Sequence, residues 1–153
     1  MTTSTETATQ VYQVYIKAPA ERVWEMIATP EMVGRFFRGA QQEGSYKVGN
    51  RIRTWAPDHS ALWSDNEVLE CDPPRKLVHT WRSRYDPEMA AEPESRVSWE
   101  VEDLPGGYSR LTLVHDRLEG APKTAASISG WSYYLSNLKT ILETGESLPP
   151  PPR

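Results

Sequence analysis

An imidazole and an indole lie two residues apart in the segment KLVHTW, which begins at Lys76. Read as a β-strand, the segment points alternate side chains to opposite faces, so His79 and Trp81 share the face of Leu77. A face that serves only as core is usually aliphatic, whereas a ligand cavity combines apolar rings with a few polar groups. His79 is therefore either a polar group of a cavity or a core histidine that a backbone carbonyl or water satisfies.

A second histidine, His115, lies on the inner face predicted for the strand SRLTLVHD. The LPGG turn predicts that Val97 pairs with His115, and the preceding loop predicts that His79 pairs with Trp99. The two imidazoles then lie two strands apart with an offset of two residues, so their backbones are about 12 Å apart. One zinc ion needs its ligands at about 2 Å, and we therefore predict no metal site.

The chain lacks motifs for covalent catalysis and for phosphate binding: G-x-S-x-G, H-E-x-x-H, the P-loop and the dinucleotide glycine pattern are absent. The single cysteine, Cys71, rules out an internal disulfide and occupies a position typical of a small buried residue. We therefore assign no catalytic residue and no cofactor. If the chain is an enzyme, His79 and His115 are the candidates for proton transfer.

The charge of the chain narrows the choice of partners. Its 153 residues carry a formal net charge of −4, with acidic and basic residues interspersed, which argues against nucleic acid or a membrane as partner. No signal peptide and no apolar run of membrane-spanning length is recognisable, so we predict a cytoplasmic protein. Six tryptophans against two phenylalanines favour rings with polar edges, which suit a cavity or an interface.

Turn signals predict one domain, residues 10–146, between a disordered tail at 1–9 and a proline-rich tail at 147–153. The pattern predicts a strand before Pro19, two short helices separated at Pro30, and strands at about 40–46, 50–57, 62–71, 76–84, 95–104 and 108–117. Apolar spacing from Lys123 predicts one helix of about 20 residues that ends at Gly145. Short connections make the sheet antiparallel, and the helix must bury its apolar face against it.

Three stretches of the sequence resemble motifs of a known superfamily. They are VYIKAPAERVWEMIATPEMVGRFF, EVLECDPPRKLVHTWR and GWSYYLSNLKTIL, which match its entry segment, its hairpin and its final helix. The chain is thus similar to the SRPBCC or START-like helix-grip superfamily and, within it, to the AHSA1-like branch named after the activator of Hsp90 ATPase. The resemblance covers residues 11–145 and implies an α+β helix-grip fold, in which a curved antiparallel sheet of about seven strands holds the long C-terminal helix.

The resemblance also implies a cavity between sheet and helix, with the two short helices as its lid. Asn66 and His79 depart from the family pattern, and the co-chaperone's asparagine-rich loop is absent, which argues against direct activation of Hsp90. Strand parity, the spacing on the final helix and the lid that the resemblance implies together assign the following ligand-binding residues: Trp24, Phe36, Phe37, His79, Trp81, Trp99, Leu113, His115, Ile128, Trp131 and Leu135.

Three functions are compatible with these features. The first is a carrier or sensor that binds a small hydrophobic or aromatic ligand, lipid-like or polyketide-like, without covalent catalysis. The second is a cyclase or aromatase in which His79 or His115 moves protons on the bound substrate. The third is a co-chaperone or other protein-binding module, which a filled interior and an exposed apolar patch would favour. An exposed edge strand makes a homodimer a further candidate assembly.

Overall fold

Seven antiparallel strands form one sheet in the computed structural model, which describes residues 9–84, 86–127 and 130–149. The strands are β1 Thr9–Ile16, β2 Gln41–Gly44, β3 Arg51–Trp55, β4 Leu62–Asp72, β5 Lys76–Trp81, β6 Ser95–Leu104 and β7 Tyr108–Asp116. Their spatial order is β1-β7-β6-β5-β4-β3-β2, so β2 to β7 form a meander and β1 lies at the edge beside β7. The seven-stranded antiparallel sheet is the one that the sequence predicts.

The helices of the described residues lie between β1 and β2, in the β5–β6 loop and after β7. They are α1 Ala20–Ala28, α2 Pro30–Phe36, α3 Pro87–Ala90, α4 Pro122–Ser127 and α5 Trp131–Thr144. None of these helices is both long and apolar enough to cross a membrane. The two short helices after β1 confirm the prediction made from Pro19 and Pro30.

The single helix predicted from Lys123 to Gly145 is wrong, because the segment contains two helices, α4 and α5. Helix α5 begins after Gly130, its N-cap, and glycine weakens a helix because it loses more backbone entropy than any other residue. Ile128, which the prediction placed in the helix, lies outside the described residues. Gly145 ends α5 as predicted: its φ is +85°, and its N–H donates to the carbonyl of Ile141 at 2.8 Å.

The register of the sheet differs from the prediction at the histidines. His79 pairs with Val97, and Val97 pairs in turn with His115, so the two imidazoles share one row across three strands without offset. Trp99, the predicted partner of His79, pairs with Leu77 instead. The prediction failed because the β5–β6 loop folds into the helical turn α3, so the pairing cannot be counted from the loop length.

Two predicted boundaries also change. Strand β1 begins at Thr9, which pairs with Asp116, so this residue belongs to the sheet and not to the tail predicted at 1–9. Residues 1–8 lie outside the described residues. Strand β5 ends at Trp81, three residues before the predicted end, because beyond it only an isolated bridge between Ser64 and Ser83 continues the pairing.

The hydrophobic core lies between the inner face of the sheet and helices α1 and α5. Alternation along β7 buries Leu111, Leu113 and His115 completely, as strand parity predicts. Helix α5 covers them with an apolar stripe at spacings of three and four, formed by Trp131, Leu135, Leu138, Ile141 and Leu142. The Trp131 indole and the His115 imidazole therefore meet in the layer between sheet and helix.

The turn after α2 positions Phe37 over the interior. Arg38 and Gly39 follow it with φ values of +58° and +73°, so the chain reverses directly after the helix. Gly34 lies against this turn, because a Cβ at Gly34 would be 2.3 Å from the carbonyl oxygen of Ala40. Only glycine permits that approach, which holds the end of α2 close to β2.

The beginning of the proline-rich segment packs on α5. The Leu148 N–H donates to Asn137 Oδ1 at 2.7 Å, and the Tyr133 hydroxyl donates to the carbonyl of Pro149 at 2.6 Å. Residues 150–153 lie outside the described residues. The part of the predicted tail that the structure describes is therefore attached to the domain by hydrogen bonds.

Candidate functional site

His79 is held by two hydrogen bonds that determine its tautomer. Trp99 of β6 donates its Nε1–H to His79 Nε2 at 3.0 Å, so this nitrogen is the unprotonated acceptor. His79 Nδ1 lies 2.8 Å from the carbonyl oxygen of Thr80 and therefore carries the proton that it donates. Trp99 reaches His79 along the diagonal between β6 and β5, since the residue directly opposite Trp99 is Leu77.

His115 is held in the same way by a different tryptophan. Trp131 of α5 donates its Nε1–H to His115 Nδ1 at 3.2 Å, and His115 Nε2 lies 2.6 Å from Ser95 Oγ. Nε2 therefore donates to the serine, whose hydroxyl donates in turn to the carbonyl oxygen of Trp81 at 3.3 Å. This chain of hydrogen bonds ties helix α5 to strands β7, β6 and β5.

Burial lowers the pKa of both imidazoles. The pKa of His79 falls to about 4 because desolvation of the charged form outweighs the hydrogen bond to Thr80. The pKa of His115 also falls to about 4, through desolvation and then through repulsion by a charged His79, while Asp116 opposes the shift. Both side chains are therefore neutral at pH 7, as their acceptor roles require.

The described residues contain no group of three or more His, Cys, Asp or Glu side chains that could hold a metal ion. His79 and His115 lie in one row two strands apart, which separates their backbones by roughly 10 Å. The lone pair of each imidazole already accepts an indole N–H. Metal binding by either histidine would therefore require breaking a buried hydrogen bond.

The rings of His79, Trp81, Trp99, His115 and Trp131 contact one another and are called the aromatic wall below. The indole of Trp81 differs from the other two in its hydrogen bonding. Its ring centroid lies 5.2 Å from that of Trp131, 6.2 Å from that of His115 and 6.3 Å from that of Phe37. Its Nε1 is buried and has no hydrogen-bond partner among the described residues. A buried donor left without an acceptor costs about 1–3 kcal/mol. The wall thus contains one unsatisfied donor beside two indoles that are satisfied.

A cavity of about 40 Å³ lies against this wall, between the sheet and helices α1, α2 and α5. None of the described side chains that line it is charged. Its rings are Phe36, Phe37, Tyr46, His79, Trp81, Trp99 and Trp131, and the remaining lining is Ile27, Val33, Gln42, Ile52, Thr54 and Asn66. A volume of this size holds roughly one water molecule, so the rings of the protein itself fill most of the interior.

Phe37 closes one side of the cavity. Its ring centroid lies 4.6 Å from that of Tyr134 on α5, and its ring meets Trp81 edge to face at an interplanar angle of 86°. Because Phe37 is the first residue beyond α2, its position depends on the turn at Arg38 and Gly39. The ring is therefore carried by a turn and not by the middle of a helix or strand.

Another part of the cavity lining is a short chain of uncharged polar groups. Tyr46 donates its hydroxyl proton to Gln42 Oε1 at 2.6 Å, and Gln42 donates from Nε2 to Thr54 Oγ1 at 3.2 Å. Desolvation by burial raises the pKa of Tyr46 despite that hydrogen bond. These three residues were not predicted from the sequence. The signal for Thr54 was its parity with Ile52 on β3, whereas Tyr46 lies in a loop.

The predicted ligand-binding residues divide into two groups. Phe36, Phe37, His79, Trp81, Trp99 and Trp131 line the cavity. Leu113 and Leu135 are buried in the core, His115 lies beside Trp81 and Trp131 but outside the lining, and Trp24 packs half-buried against the core. Ile128 lies outside the described residues. Parity identified the correct face of each strand but not the position along it.

The sheet with a C-terminal helix across its inner face and an aromatic layer between them defines a helix-grip fold. The family model of the activator of Hsp90 ATPase homolog 1-like proteins matches residues 17–143, and the chain belongs to this family. No curated protein sequence matches the chain significantly.

Solved structures support the fold. Protein MLL2253 from Mesorhizobium loti is 23% identical with a TM-score of 0.71, covering 88% of this chain and 96% of its own. CalU16 from Micromonospora echinospora is 22% identical with a TM-score of 0.70, covering 92% and 77%. PFC0360w, an Hsp90 activator from Plasmodium falciparum, is 20% identical with a TM-score of 0.70, covering 88% and 96%.

Proposed function

We propose that the chain binds a small, uncharged aromatic ligand in the cavity between the sheet and helix α5. The observation that carries this proposal is a cavity whose lining, among the described residues, combines aromatic rings with a few polar groups and no charged side chain. Pockets for small molecules have this composition, because the apolar rings supply affinity and the polar groups supply orientation. A carrier or sensor needs no more than this.

The size of the cavity requires that it open for such a ligand. A volume of about 40 Å³ is smaller than one benzene ring needs, so a ring of the protein has to move. Phe37 is the side chain best suited to move, because it follows α2 and precedes two residues with positive φ. Displacing its ring would join the cavity to the space between α2 and α5.

Proton transfer by the histidines has less support than ligand binding. A general base needs a free lone pair within reach of the substrate proton. In this arrangement His79 Nε2 and His115 Nδ1 each accept an indole N–H, and the other nitrogen of each donates to oxygen. Catalysis by either imidazole would first require the loss of a buried hydrogen bond.

The proposal can be tested by titrating the protein with naphthalene while the indole N–H resonances are followed by NMR. We expect saturable shifts of the Trp81 and Trp131 signals. Phe37→Ala should bind naphthalene at least about tenfold more tightly, because the removed phenyl ring leaves a site of ligand size. Met32→Ala is the matched control, since Met32 lies on α2, the helix that precedes Phe37, and packs against the core outside the lining.

One outcome would contradict the proposal, and a second would contradict the role given to Phe37. Absence of saturable shifts in both the unmodified chain and Phe37→Ala, up to the solubility of naphthalene, would reject ligand binding in this cavity. Equal gains in affinity in Phe37→Ala and Met32→Ala would mean that general loosening of the helix, and not the ring of Phe37, controls access.

A protein-binding role is the second candidate, because the interior is nearly filled and the outer face carries an apolar patch. Tyr15 is 49% exposed, Tyr108 is 38% exposed, and their ring centroids are 6.3 Å apart; Val11 on β1 is 61% exposed. Exposed aromatic rings such as these are enriched at protein contact surfaces. The similarity to an Hsp90 activator makes Hsp90 the first partner to test.

The test is the ATPase rate of purified Hsp90 with increasing amounts of the chain. If this role is correct, the rate rises, and the double variant Tyr15→Ser with Tyr108→Ser abolishes most of the increase. Val48→Ser is the control, because Val48 is 63% exposed and lies outside the patch, in the β2–β3 loop. An unchanged ATPase rate would reject Hsp90 as the partner.

A further inference from the structure

Three tryptophans line the cavity, and their N–H groups differ in whether they have a hydrogen-bond acceptor. The N–H of Trp99 is bonded to His79, and the N–H of Trp131 is bonded to His115. Both imidazoles are neutral acceptors, and each is held in that tautomer by a second hydrogen bond. Two of the three strong donors in this wall are therefore unavailable to a ligand.

Trp81 is the exception. Its Nε1 is buried without a hydrogen-bond partner among the described residues, although its backbone carbonyl accepts from Ser95. The indole is held by rings on several sides, including those of Trp131, His115 and Phe37. A tightly packed ring with an unpaired donor retains its polar group at a cost to stability, which is the pattern expected where a ligand supplies the missing acceptor.

We propose that the Trp81 Nε1–H is the specificity-determining donor of the cavity and recognises an uncharged acceptor oxygen, such as a ketone carbonyl, on a flat aromatic ligand. This inference rests on the proposed function. It adds the chemical class of the ligand: an aromatic body that carries at least one neutral hydrogen-bond acceptor.

The lining argues that the acceptor is neutral. The cavity contains no arginine, lysine or charged histidine, so a buried carboxylate or phosphate would lack a counter-ion. Burying an unpaired charge is far more costly than burying a ketone, whose carbonyl needs one donor. The chain Tyr46–Gln42–Thr54 is already bonded internally and supplies orientation without charge.

His79 and His115 act on this specificity as positioning residues. By accepting the N–H groups of Trp99 and Trp131, they fix the planes of two indoles and leave Trp81 as the lining indole whose N–H is free. A ligand with a single acceptor at one end is then oriented in one way, with that acceptor at Trp81.

The test compares two ligands of nearly equal shape, 2-acetylnaphthalene and 2-ethylnaphthalene, by isothermal titration calorimetry. They differ by one carbonyl oxygen. We expect 2-acetylnaphthalene to bind about fivefold more tightly, as one net hydrogen bond to a buried donor predicts. In Trp81→Phe this ratio should fall to about one, while Trp55→Phe, which changes a tryptophan outside the lining, should keep it. The Trp81 indole proton should shift downfield with the ketone only.

Each result decides between this inference and the proposed function. Equal affinities of the two ligands, or a ratio that persists in Trp81→Phe, would overturn the role of Trp81 while leaving ligand binding intact. Binding of neither ligand would overturn both. Tighter binding of 2-naphthoate than of 2-acetylnaphthalene would overturn the neutral ligand class.

Discussion

The protein pairs tryptophan with histidine in two regions, and the pairs are built differently. In the interior, Trp99 and His79 share a hydrogen bond of 3.0 Å, with the imidazole as acceptor. At the surface, the rings of Trp55 and His59 are stacked at 4.1 Å with an interplanar angle of 19°, and the indole N–H donates to Glu43 at 3.0 Å.

The two kinds of pair differ because solvent reaches the surface pair and not the interior pairs. At the surface, water or a flexible carboxylate satisfies an indole N–H, so the imidazole is free to lie on the ring face. In the interior bulk water is excluded, so a buried N–H is best satisfied by an acceptor with fixed geometry, and a neutral imidazole supplies one. The interior pairs should therefore determine stability, and the surface pair should not.

Acidification should disrupt the interior Trp–His pairs, and it should cause the largest loss in the free energy of unfolding. The imidazoles of His79 and His115 have pKa values of about 4 in the folded protein, against 6.5 in the unfolded chain. Above pH 6.5 neither state binds the proton. As the pH falls from 6.5 toward 4, only the unfolded chain does, so stability is lost, by about 2 kcal/mol per histidine at pH 5.

Urea unfolding at pH 7 and pH 5 measures this loss. His115→Gln should show about half of it, because one of the two titrating groups is gone. His59→Asn should show the full loss. A free energy of unfolding that stays constant between pH 7 and pH 5 would contradict the neutral, buried state of the imidazoles.

Removal of one interior acceptor should have the next largest effect. His115→Leu replaces the imidazole with an apolar side chain of similar size and leaves the buried N–H of Trp131 without its acceptor. We expect a loss of about 3 kcal/mol in the free energy of unfolding at pH 7. His115→Gln, whose amide oxygen can accept the same N–H, should lose less than half as much. Equal losses in both variants would assign the effect to shape and not to the hydrogen bond.

The two indoles of neighbouring strands sharpen the comparison within the interior. Trp99→Phe and Trp81→Phe remove similar ring area, but the first also leaves His79 Nε2 unpaired and the second removes an unpaired donor. Trp99→Phe should therefore be the less stable variant by about 2 kcal/mol. Urea unfolding at pH 7 measures the difference, and equal stabilities would mean that Trp81 has an acceptor of its own.

The surface pair should show the smallest effect. His59→Asn removes the stacked ring and keeps a residue that tolerates the positive φ of 63° at this position. We expect a change of less than about 0.5 kcal/mol in the free energy of unfolding. A loss as large as that of His115→Leu would refute the distinction between the two regions.

Much of the fold could be predicted because its signals are local. Alternation along β6 and β7, the turn residues between strands and the spacing of apolar residues on α5 each involve neighbours in the chain. The helix prediction failed between α4, which ends at Ser127, and α5, which begins at Trp131 after Gly130, a residue of low helix propensity. The prediction of the β5–β6 register failed because α3 lies in the loop that was counted as a simple connection.

The site was predicted in part for the same reason. Parity and spacing brought Trp81, Trp99 and Trp131 to one layer, but they could not reveal which indole meets an imidazole. Leu69 illustrates the limit: it has no partner on β5, because the register shifts between Val68 and Glu70, and no feature of the sequence announces this bulge.

The sequence by itself determined the strands, their antiparallel order, the amphipathic final helix and the family, since each depends on periodicity and on motifs along the chain. The tertiary structure decided which nitrogen of His79 and of His115 accepts a hydrogen bond, and how little space remains between the rings. It also decided that Trp81 alone of the three lining indoles has no acceptor among the described residues. The physical reason is the distance along the chain between the residues that interact. Hydrogen bonds depend on fractions of an ångström between residues far apart in the chain, and only the packed layers of sheet and helix set those distances.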